Sequence, residues 1–330
     1  MKILVTGGTG YIGSHTIVDL INKGHEIVSV DNFSNSDPEV VGNIEKVSGV
    51  AIKNYNIDLA DLNQTVTIFQ DHPDFDGIIH FAAFKYVGES TQMPLLYFKN
   101  NLNSLMNILH CQRKWDIPNM VFSSSCSVYG NPDKQPVTEE TPQKEAESPY
   151  ARTKQMGEMI IRDFSKKHSD LNFLLLRYFN PAGIHTSGII REKAKKEVET
   201  LVPIIEEVYT GKREQLTIFG GDYPTRDGTC IRDYIYIMDL AEAHTLGMEY
   251  LKKQSEQGVC STYNLGTGNG ITVLEMVKAM EKVSGTSLNY SIGDRRNGDV
   301  IEVYADYSAA KNDLGWIPKH GIEDIFQSIL

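Results

Sequence analysis

Short apolar runs rich in β-branched residues alternate with longer, helically periodic segments through the first half of the chain. Runs of this kind, bounded by polar or glycine-containing segments, are typical of buried strands. They fall at residues 2–5, 26–30, 50–53, 77–81, 119–123 and 172–177. Each is separated from the next by enough chain for a crossover helix. The pattern predicts an α/β fold with a doubly wound parallel sheet of the Rossmann type.

The regular alternation weakens after Asn180, where prolines and glycines indicate an irregular path out of the sheet. Residues 231–251 again have the pattern of a strand and a helix, and residues 263–265 that of a last short strand. We therefore predict two connected lobes. The first comprises residues 1–180 plus about 231–265, and a smaller, discontinuous α/β lobe comprises about 181–230 plus 266–330.

A glycine-rich turn directly follows the first predicted strand. Gly8, Gly10 and Gly13 satisfy Gly-x-Gly-x-x-Gly before a helix predicted over residues 14–22, and Gly7 offers the alternative spacing Gly-x-x-Gly-x-x-Gly. Such glycines permit a tight turn, let backbone N–H groups approach a pyrophosphate, and allow the helix to pack closely on the strand. The helix N-terminus then faces the phosphates. The turn predicts a dinucleotide site.

Two acidic residues extend this prediction along the neighbouring strands. Asp31 ends the second strand about 20 residues after the turn, where an acid accepts hydrogen bonds from the adenosine ribose. Its charge disfavours the extra phosphate of NADP, and no lysine or arginine lies between Asp31 and Pro38 to bind one, so we predict NAD. Asp58 follows the third strand and suits either the adenine edge or the N-cap of the next helix.

Composition narrows the class of protein. The 330 residues are 41% hydrophobic and carry a formal net charge of −11, which disfavours nucleic acid and anionic membranes as partners. No stretch approaches ~18 consecutive apolar residues, and Met1 leads straight into the first strand, so we expect a cytoplasmic protein without a membrane segment. The 4 cysteines are too scattered for a disulfide framework or a zinc site, and we predict no metal.

A tyrosine–lysine pair and a serine cluster supply candidate chemistry. Tyr150 and Lys154 lie about one turn apart in a helix predicted over residues 150–166, and the serines at 123–125 follow the fifth strand at the ligand-binding edge. Taken singly, such a pair is usually an exposed helical pair, and a serine cluster is usually a turn. Tyrosine needs neighbouring positive charge to act as a base near neutral pH, because its ordinary pKa is about 10. Lys154 supplies that charge, and an oxidised nicotinamide supplies more.

Longer strings around these motifs resemble the extended short-chain dehydrogenase/reductase superfamily, from Met1 to about residue 320. Within that superfamily the chain is similar to the UDP-glucose 4-epimerase family. The strings that carry the resemblance are VTGGTGYIGSH at 5–15, DN at 31–32, HFAAFKYVGES at 80–90, FSSSCSVYG at 122–130, SPYARTK at 148–154 and LRYFNP at 176–181. Together they are far more specific than any one motif.

The resemblance implies a role for individual residues. Tyr150 would be the catalytic base, Ser125 its hydrogen-bonding relay, and Lys154 both a ribose ligand and the modifier of the tyrosine pKa. The cofactor-binding residues would be Gly7, Gly10, Tyr11, Ile12, Gly13, Asp31, Asn32, Asp58, Phe81, Lys85, Asn100, Tyr150, Lys154 and Tyr178. The substrate-binding residues would be Lys85, Ser125, Tyr150, Asn180, Thr200, Leu201, Thr217, Phe219, Arg232, Arg296, Asp299 and Val303.

The implied reaction is the reversible 4-epimerisation of UDP-glucose and UDP-galactose with tightly bound NAD. The base removes the O4 proton while the C4 hydride leaves for NAD, and the resulting 4-keto sugar turns over and takes the hydride back on its other face. Because the hexose must rotate, binding energy has to concentrate on the UDP part. The resemblance assigns the uracil side to Phe219 and the diphosphate to Arg232 and Arg296.

Two positions depart from the usual epimerase pattern. Glu199 and Thr200 stand where the family usually has asparagines before a proline-containing helix, which changes the nucleotide end of the site. Val303 stands where many members have a bulky tyrosine beside the 2-position of the sugar. Since valine leaves room for an N-acetyl group, we hypothesise that UDP-GlcNAc and UDP-GalNAc are also accepted.

Other functions stay open at this point. A related nucleotide-sugar 4-epimerase would act on another substrate, and a catalytically silent NAD-binding regulator would keep only the fold. A nucleotide-sugar 4,6-dehydratase usually carries an Asp-Glu pair where this chain has Ser125 and Cys126, so elimination is disfavoured. Related enzymes commonly dimerise through helices of the first lobe, and we expect a homodimer formed by the helices at 95–115 and 150–166.

Overall fold

The computed structural model describes residues 1–192, 200–254, 258–296 and 300–330. In these residues, one sheet contains seven strands, which are β1 (Lys2–Thr6), β2 (Glu26–Val30), β3 (Lys53–Tyr55), β4 (Gly77–His80), β5 (Asn119–Ser125), β6 (Asn172–Tyr178) and β11 (Cys260–Leu265). Their order is β3-β2-β1-β4-β5-β6-β11, and all neighbouring pairs are parallel. The predicted doubly wound sheet of the Rossmann type is confirmed.

Helices cover both faces of this sheet. Those between or beside its strands are α1 (Tyr11–Asn22), α2 (Glu39–Ser48), α3 (Leu62–Asp71), α4 (Val87–Gln92), α5 (Pro94–Lys114), α6 (Pro149–Lys167) and α8 (Ile237–Lys253). The others are α7 (Leu201–Tyr209), α9 (Val273–Ser284), α10 (Ser308–Leu314) and α11 (Ile322–Ile329). Helices α1 and α8 pack together on one face, and α5 and α6 pack together on the other.

Side chains alternate between the two faces along each central strand. On β6, Leu174 and Leu176 join the core beneath α1 and α8, whereas Phe173 and Leu175 join the core beneath α5 and α6. All four side chains are buried. A parallel strand covered on both faces has the sequence of a continuous apolar run, which is why hydrophobicity alone located this strand.

The strand order reverses beside β1, which pairs with β2 on one side and β4 on the other. The connections from these strands leave in opposite directions, so a crevice opens beyond the carboxyl ends of β1 and β4. Thr6 and His80 are the last residues of the two strands, and Thr6 Oγ1 lies 2.8 Å from His80 Nδ1. The glycine turn starts at the next residue, Gly7, and therefore lies in the crevice.

The chain that leaves the main sheet forms small sheets near this edge. Within the described ranges these are β7 (Asn180–Ala182) with β10 (Tyr234–Tyr236), β8 (Leu216–Phe219) with β13 (Tyr290–Gly293), and β9 (Ile231–Arg232) between β12 (Ile271–Thr272) and β14 (Glu302–Val303). An apolar cluster that includes Phe179 and Val303 joins β14 to the end of β6. The division into lobes stays a prediction.

Some element bounds differ from those that the sequence predicts. The third strand is Lys53–Tyr55 rather than 50–53, because its pairing with β2 begins at Lys53. The helix expected from residue 14 begins at Tyr11, since Gly10 already caps it. The strand expected near residue 231 is two strands, β9 and β10, which pair outside the seven-stranded sheet. The helix that follows them, α8, packs against α1.

The structure also bears on membrane, disulfide and metal chemistry. Of the helices described, none has the length and apolar character needed to cross a bilayer. The four cysteines are free, with Cys111 and Cys230 buried and Cys126 and Cys260 partly buried. The described ranges contain no group of three or more His, Cys, Asp or Glu side chains that would hold a metal ion.

Candidate active site

A cleft of about 1210 Å³ runs along the carboxyl edge of the sheet, from the glycine turn to the small sheets. It is lined by every site residue that the family resemblance assigns within the described ranges. These are Gly7, Gly10, Tyr11, Ile12, Gly13, Asp31, Asn32, Asp58, Phe81, Lys85, Asn100, Ser125, Tyr150, Lys154, Tyr178, Asn180, Thr200, Leu201, Thr217, Phe219, Arg232, Arg296 and Val303. Asp299 lies outside the described residues.

Backbone hydrogen bonds close the turn between β1 and α1. Gly7 N donates to Val30 O at 2.7 Å, and Gly10 N donates to Gly7 O at 3.0 Å. Gly7 has a φ of +69°, and a Cβ there would lie 2.9 Å from Ala82 N, while a Cβ on Gly13 would overlap Gly7 O. Gly7, Gly10 and Gly13 line the cleft and Gly8 does not, so the functional spacing is Gly-x-x-Gly-x-x-Gly. This cradle, at the N-terminus of α1, fits a pyrophosphate.

The carboxylate of Asp31 is fixed at the end of β2. It accepts hydrogen bonds from Thr9 N at 3.2 Å, Phe33 N at 2.9 Å and Ser36 Oγ at 3.1 Å. Ser36 Oγ also lies 2.7 Å from Thr9 Oγ1, which ties the glycine turn to the loop after β2. An anchored carboxylate here suits the adenosine ribose of NAD and repels the 2′-phosphate of NADP. Ser36 was not predicted from the sequence, because only the path of the loop after β2 brings it next to Thr9 and Asp31.

Asp58 lines the cleft but does not cap a helix. The N-cap of α3 is Asp61, whose side chain accepts from Asn63 N and Gln64 N. Asp58 instead accepts from Ala60 N at 2.9 Å. The capping alternative for Asp58 was wrong, because a second aspartate three residues later occupies that position.

Helix α6 presents Tyr150 and Lys154 to the cleft from successive turns. Ser148 caps the helix and Pro149 opens it, a favourable combination at a helix N-terminus. Lys154 is buried; its Nζ donates to Ser123 O at 2.6 Å and lies 5.9 Å from the centroid of the Tyr150 ring. The helix and β5 together hold a cation beside the phenol.

Burial shifts the pKa of both side chains away from the ordinary value. It raises the pKa of Tyr150 to about 12, and the Ser125 hydroxyl opposes this shift because it stabilises the phenolate. Burial lowers the pKa of Lys154 to about 8, and the negative charge of Glu158 opposes that shift. A phenol with a raised pKa forms the proton-accepting phenolate near neutral pH only with positive charge beside it. Lys154 supplies such a charge.

Glu158, which the sequence analysis did not select, lies on the next turn of α6. It is buried and accepts from Ser124 Oγ at 2.6 Å and from Arg177 Nε and Nη2 at 2.9 and 2.7 Å. Arg177 is also buried and donates to Tyr129 OH at 2.9 Å. The ion pair joins α6 to β6, and the hydrogen bond from Ser124, which lines the cleft, joins α6 to β5. The spacing of Glu158 was a usable signal, since position 158 shares a helix face with position 154.

Tyr178 and Phe81 contact a buried histidine where the cleft meets β4 and β6. Tyr178 OH lies 2.5 Å from His244 Nε2, and His244 Nδ1 lies 2.8 Å from Leu240 O. Because a carbonyl oxygen can only accept, Nδ1 carries the proton and Tyr178 donates to Nε2. The Phe81 and His244 ring centroids are 4.8 Å apart. Burial lowers the pKa of His244 to about 4 and raises the pKa of Tyr178, so both rings are neutral.

Lys85 and Asn100 line the cleft between β4 and α5. Lys85 forms an ion pair with Glu192, a second cleft residue. Asn100 Nδ2 donates to Asn101 Oδ1 at 3.0 Å. The lysine thus balances a carboxylate that would otherwise repel an anionic ligand.

The opposite end of the cleft combines an aromatic surface with two guanidinium groups. Arg296 lies 4.7 Å from the centroid of the Phe219 ring, which is 41% exposed. Arg232 donates from Nη1 to Ile231 O at 2.8 Å and stands opposite the buried Val303 in the pairing of β9 with β14. In a chain with a net charge of −11, this is local positive charge suited to a diphosphate.

The fold and the arrangement of the cleft have relatives among known proteins. A family model described as GDP-mannose 4,6 dehydratase matches residues 4–329. The UDP-glucose 4-epimerase of Bacillus subtilis is 46% identical over 325 residues, which cover 98% of this chain and 94% of that protein. The chain belongs to the UDP-glucose 4-epimerase family. The resemblance inferred from the sequence strings is confirmed.

Solved structures of UDP-glucose 4-epimerases superimpose over the whole chain. The Bifidobacterium longum enzyme in complex with NAD+ and UDP has a TM-score of 0.94 at 40% identity, covering 100% of this chain and 97% of that one. The Stenotrophomonas maltophila enzyme with bound NAD and formylated UDP-arabinopyranose has a TM-score of 0.96 at 40% identity, covering 100% and 96%. This agreement includes the small sheets as well as the main sheet.

Two of the three positions at which this chain departs from the usual UDP-glucose 4-epimerase pattern, Thr200 and Val303, line the cleft. Thr200 precedes α7 and lines the cleft, and its side chain makes no capping hydrogen bond. Glu199 lies outside the described residues. Val303 is in β14 and also lines the cleft, so the side chain that replaces the bulky tyrosine faces the site.

Proposed function

We propose that the protein interconverts UDP-glucose and UDP-galactose by reversible epimerisation at C4, using tightly bound NAD. The observation that carries this proposal is the position of Tyr150, with the Lys154 ammonium beside it, in one cleft that has a glycine cradle at one end and two guanidiniums at the other. A proton acceptor therefore lies between a place for a dinucleotide and a place for a second diphosphate. Membership of the UDP-glucose 4-epimerase family supports the same reaction.

The residues at the centre of the cleft remove the proton from O4 and later return it. Bound NAD supplies a hydride acceptor and donor for sugar C4. Tyr150 takes the O4 proton, and the Ser125 hydroxyl connects the phenol to the sugar oxygen. Lys154 adds a positive charge beside the phenol, which favours the phenolate form. After the 4-keto sugar has turned over, Tyr150 returns the proton to O4 as C4 regains the hydride, so no net oxidation occurs.

The far end of the cleft anchors the nucleotide while the sugar rotates. Arg232 and Arg296 bind the diphosphate through charge-assisted hydrogen bonds, and the exposed ring of Phe219 packs against uracil. Lys85, Asn180, Thr200, Leu201, Thr217 and Asp299 complete the proposed nucleotide and sugar contacts. Strong binding at UDP and weak binding at the hexose satisfy the requirement that the same site hold both orientations of the sugar.

The glycine-turn end is the proposed NAD site. Gly7, Gly10 and the backbone of residues 11–13 bind the pyrophosphate, and Asp31, Asn32 and Asp58 surround the adenosine. Phe81, Lys85, Asn100 and Tyr178 border the nicotinamide side. This assignment matches the proposed lobes, with the cofactor on residues 1–180 plus about 231–265 and the sugar nucleotide mainly on the remaining chain.

A dehydratase reaction is not supported, although the matching family model bears that description. Elimination needs an acid and a base beside the tyrosine, and this chain has Ser125 followed by Cys126 at that place. Burial raises the pKa of the Cys126 thiol to about 12, so it neither ionises nor serves as a base near neutral pH. The site therefore moves one proton and returns it.

The acetylated sugars are a second set of proposed substrates. Val303 is smaller than tyrosine and lines the cleft, which leaves room for an N-acetyl group at C2. We therefore include UDP-GlcNAc and UDP-GalNAc among the proposed substrates. Absence of turnover with this acetylated pair would refute that part of the proposal.

The deciding experiment incubates purified protein with UDP-galactose, without added NAD, and follows the configuration at C4 by NMR. Formation of UDP-glucose to equilibrium is expected, together with NAD in the denatured protein extract. A catalytically silent NAD-binding protein would retain the dinucleotide but leave the sugar unchanged. An enzyme for another nucleotide sugar would retain the dinucleotide and act only on that other substrate.

We also propose that the protein is a cytoplasmic homodimer. Helices α5 and α6 pack together and carry exposed apolar side chains, including Leu95 at 82% and Met159 at 61% exposure. Exposed apolar side chains on adjacent helices favour burial against a second copy. Analytical ultracentrifugation of wild-type protein and of a Leu95→Glu variant tests this, and a monomeric wild type would refute it.

A further inference from the structure

Asp233 follows Arg232 on the chain and is a buried acid with no part in the steps above. It lies between β9 and β10 and is fully buried. Oδ1 accepts from Thr267 N and Thr267 Oγ1, each at 2.7 Å, and Oδ2 accepts from Gly268 N at 3.0 Å and Ala305 N at 3.1 Å. Four donors from two distant segments therefore converge on one carboxylate.

These hydrogen bonds join the segments that carry the proposed substrate residues. Ala305 is two residues beyond Val303, so its bond to Asp233 fixes the chain that leaves β14. The backbone oxygen of Asp233 accepts from Asn180 N at 2.9 Å, which fixes the start of β7. Arg232 is the immediate neighbour of Asp233. One residue thus connects three proposed substrate contacts.

The surroundings of Asp233 also link it to the main sheet and to the catalytic strand. A Cβ on Gly266, which follows β11, would overlap Asp233 Oδ2, so the loop after the edge strand packs directly on the carboxylate. The charges of Arg232 and Asp233 both act on the Cys126 thiol, in opposite directions. Cys126 directly follows Ser125, so the charge of Asp233 has an effect at the end of β5.

We propose that Asp233 is a positioning residue that holds Arg232 and Val303 at the separation a UDP-sugar requires, without contacting the sugar nucleotide itself. The inference rests on the proposed function. Loosening this junction weakens substrate binding more than proton transfer, because Tyr150 and Lys154 are held separately by α6 and β5. The expected signature is therefore a change in KM with little change in kcat.

The test replaces Asp233 with asparagine in the full-length, NAD-loaded protein. Asp233→Asn keeps the shape but turns an amide NH2 toward N–H donors, which leaves buried groups unpaired. We expect the KM for UDP-galactose and the Kd of UDP to rise about tenfold, with kcat and bound NAD within about threefold of wild type.

Asp239→Asn is the matched control. Asp239 is also a buried acid with several donors, since it accepts from Lys319 N, His320 N and His320 Nδ1, but it ties the chain after α10 to α8 and does not line the cleft. We expect it to lower the Tm while leaving both the KM and the Kd of UDP unchanged. Equal changes of KM in both variants would overturn the inference, because general loosening would explain them.

A milder variant keeps the inference testable if Asp233→Asn does not fold. Thr267→Val removes the hydroxyl that donates to Asp233 and accepts from Asn269 N, and it leaves the other three donors to Asp233 in place. A raised Kd of UDP with normal NAD content supports the positioning role, and an unchanged Kd overturns it. Because the Kd of UDP is measured by calorimetry without turnover, a wild-type protein that binds UDP but does not epimerise would refute the proposed function separately.

Discussion

The ammonium of Lys154 donates a hydrogen bond to the backbone carbonyl of Ser123 at 2.6 Å. This bond holds the lysine at the end of β5, two residues before Ser125, and keeps Nζ beside the ring of Tyr150. A buried ammonium with a fixed acceptor cannot swing to solvent. The charge that the phenol needs is therefore built into the helix–strand junction.

Replacing the proposed base should abolish turnover while leaving the cleft intact. We expect Tyr150→Phe to lose about 10³-fold in kcat, since general base catalysis contributes roughly 10²–10⁴-fold. NAD content and the Kd of UDP should stay at wild-type values, because the ring and its packing remain. NMR of the C4 configuration measures the loss. A variant with more than a tenth of wild-type turnover would show that another group accepts the proton.

The buried lysine should limit activity at alkaline pH. Its pKa is lowered to about 8, so the folded protein loses this charge as pH rises through that value, whereas the unfolded chain keeps it until near the ordinary value of 10.5. Turnover should fall above about pH 8 as the phenolate loses its neighbouring cation, and kcat measured from pH 6 to 10 checks this. In Lys154→Arg, whose side chain stays charged, the alkaline fall should disappear even though the overall rate is lower. The same fall in both proteins would assign it to another group.

The lowered pKa of Lys154 should make the protein more stable as pH rises, even though activity falls. Below about pH 8 both states carry the charge and the folded state bears the cost of burying it. Between that pH and about 10.5 the folded protein releases the proton first, so this residue's contribution to the free energy of unfolding rises with pH.

Enlarging the side chain at position 303 should narrow the range of substrates. We expect Val303→Tyr to reduce kcat/KM for UDP-GalNAc at least tenfold while retaining turnover of UDP-galactose, because the ring occupies the space proposed for the N-acetyl group. Val303→Ala serves as the control and should keep both activities. Parallel losses on both sugars in Val303→Tyr would contradict a selective role.

Neutralising Asp31 should weaken NAD binding and reduce the preference of the site for NAD over NADP. Asp31→Asn removes the charge that repels a 2′-phosphate and weakens the contacts with Thr9 and Ser36. We expect less NAD to remain after gel filtration and a smaller preference for NAD over NADP in reconstitution. Asp37→Asn, in the same loop but outside the cleft lining, is the matched control and should retain NAD. Equal retention in both variants would remove Asp31 from the cofactor site.

Breaking the buried ion pair behind the cleft should be among the most destabilising single changes. Glu158→Gln leaves the Arg177 guanidinium buried without its anion, which costs about 3–5 kcal/mol of unfolding free energy. Chemical denaturation measures the loss. Asp163→Asn removes the exposed partner of Lys166 on the same helix and should change stability far less. Similar losses in the two variants would show that the buried pair is not a special contributor.

The sequence predicts the main sheet well because its strands are buried on both faces. Strands β2, β4, β5 and β6 were located within two residues at each end, since the apolar run and the buried strand coincide. The strand at one edge of the sheet, β3, was harder to locate from the sequence. Strand β3 is three residues long and partly exposed, so apolar residues just before it misled the prediction.

Site residues were predictable where function imposes a local pattern. The glycine turn and the pair Tyr150 and Lys154 each occupy a short stretch with a required spacing. Ser36 and Asp233 support the site through contacts between segments far apart in sequence. Glu158 could have been selected by its spacing from Lys154, but its partners Ser124 and Arg177 could not. Two-residue strands such as β9 and β14 carry no periodicity at all, so nothing in the chain shows that Arg232 and Val303 stand side by side.

The packing of α8 against α1, β5 and β6 has a consequence for synthesis. A ribosome that has extruded only the first 180 residues has made the glycine turn and Tyr150, but β6 still has an open edge and the sheet face beneath α1 still lacks α8. The face is completed when α8, ending at Lys253, has emerged, and the edge of β6 is paired only when β11, ending at Leu265, has emerged. The nascent chain therefore exposes apolar surface until more than three quarters of the chain has been translated.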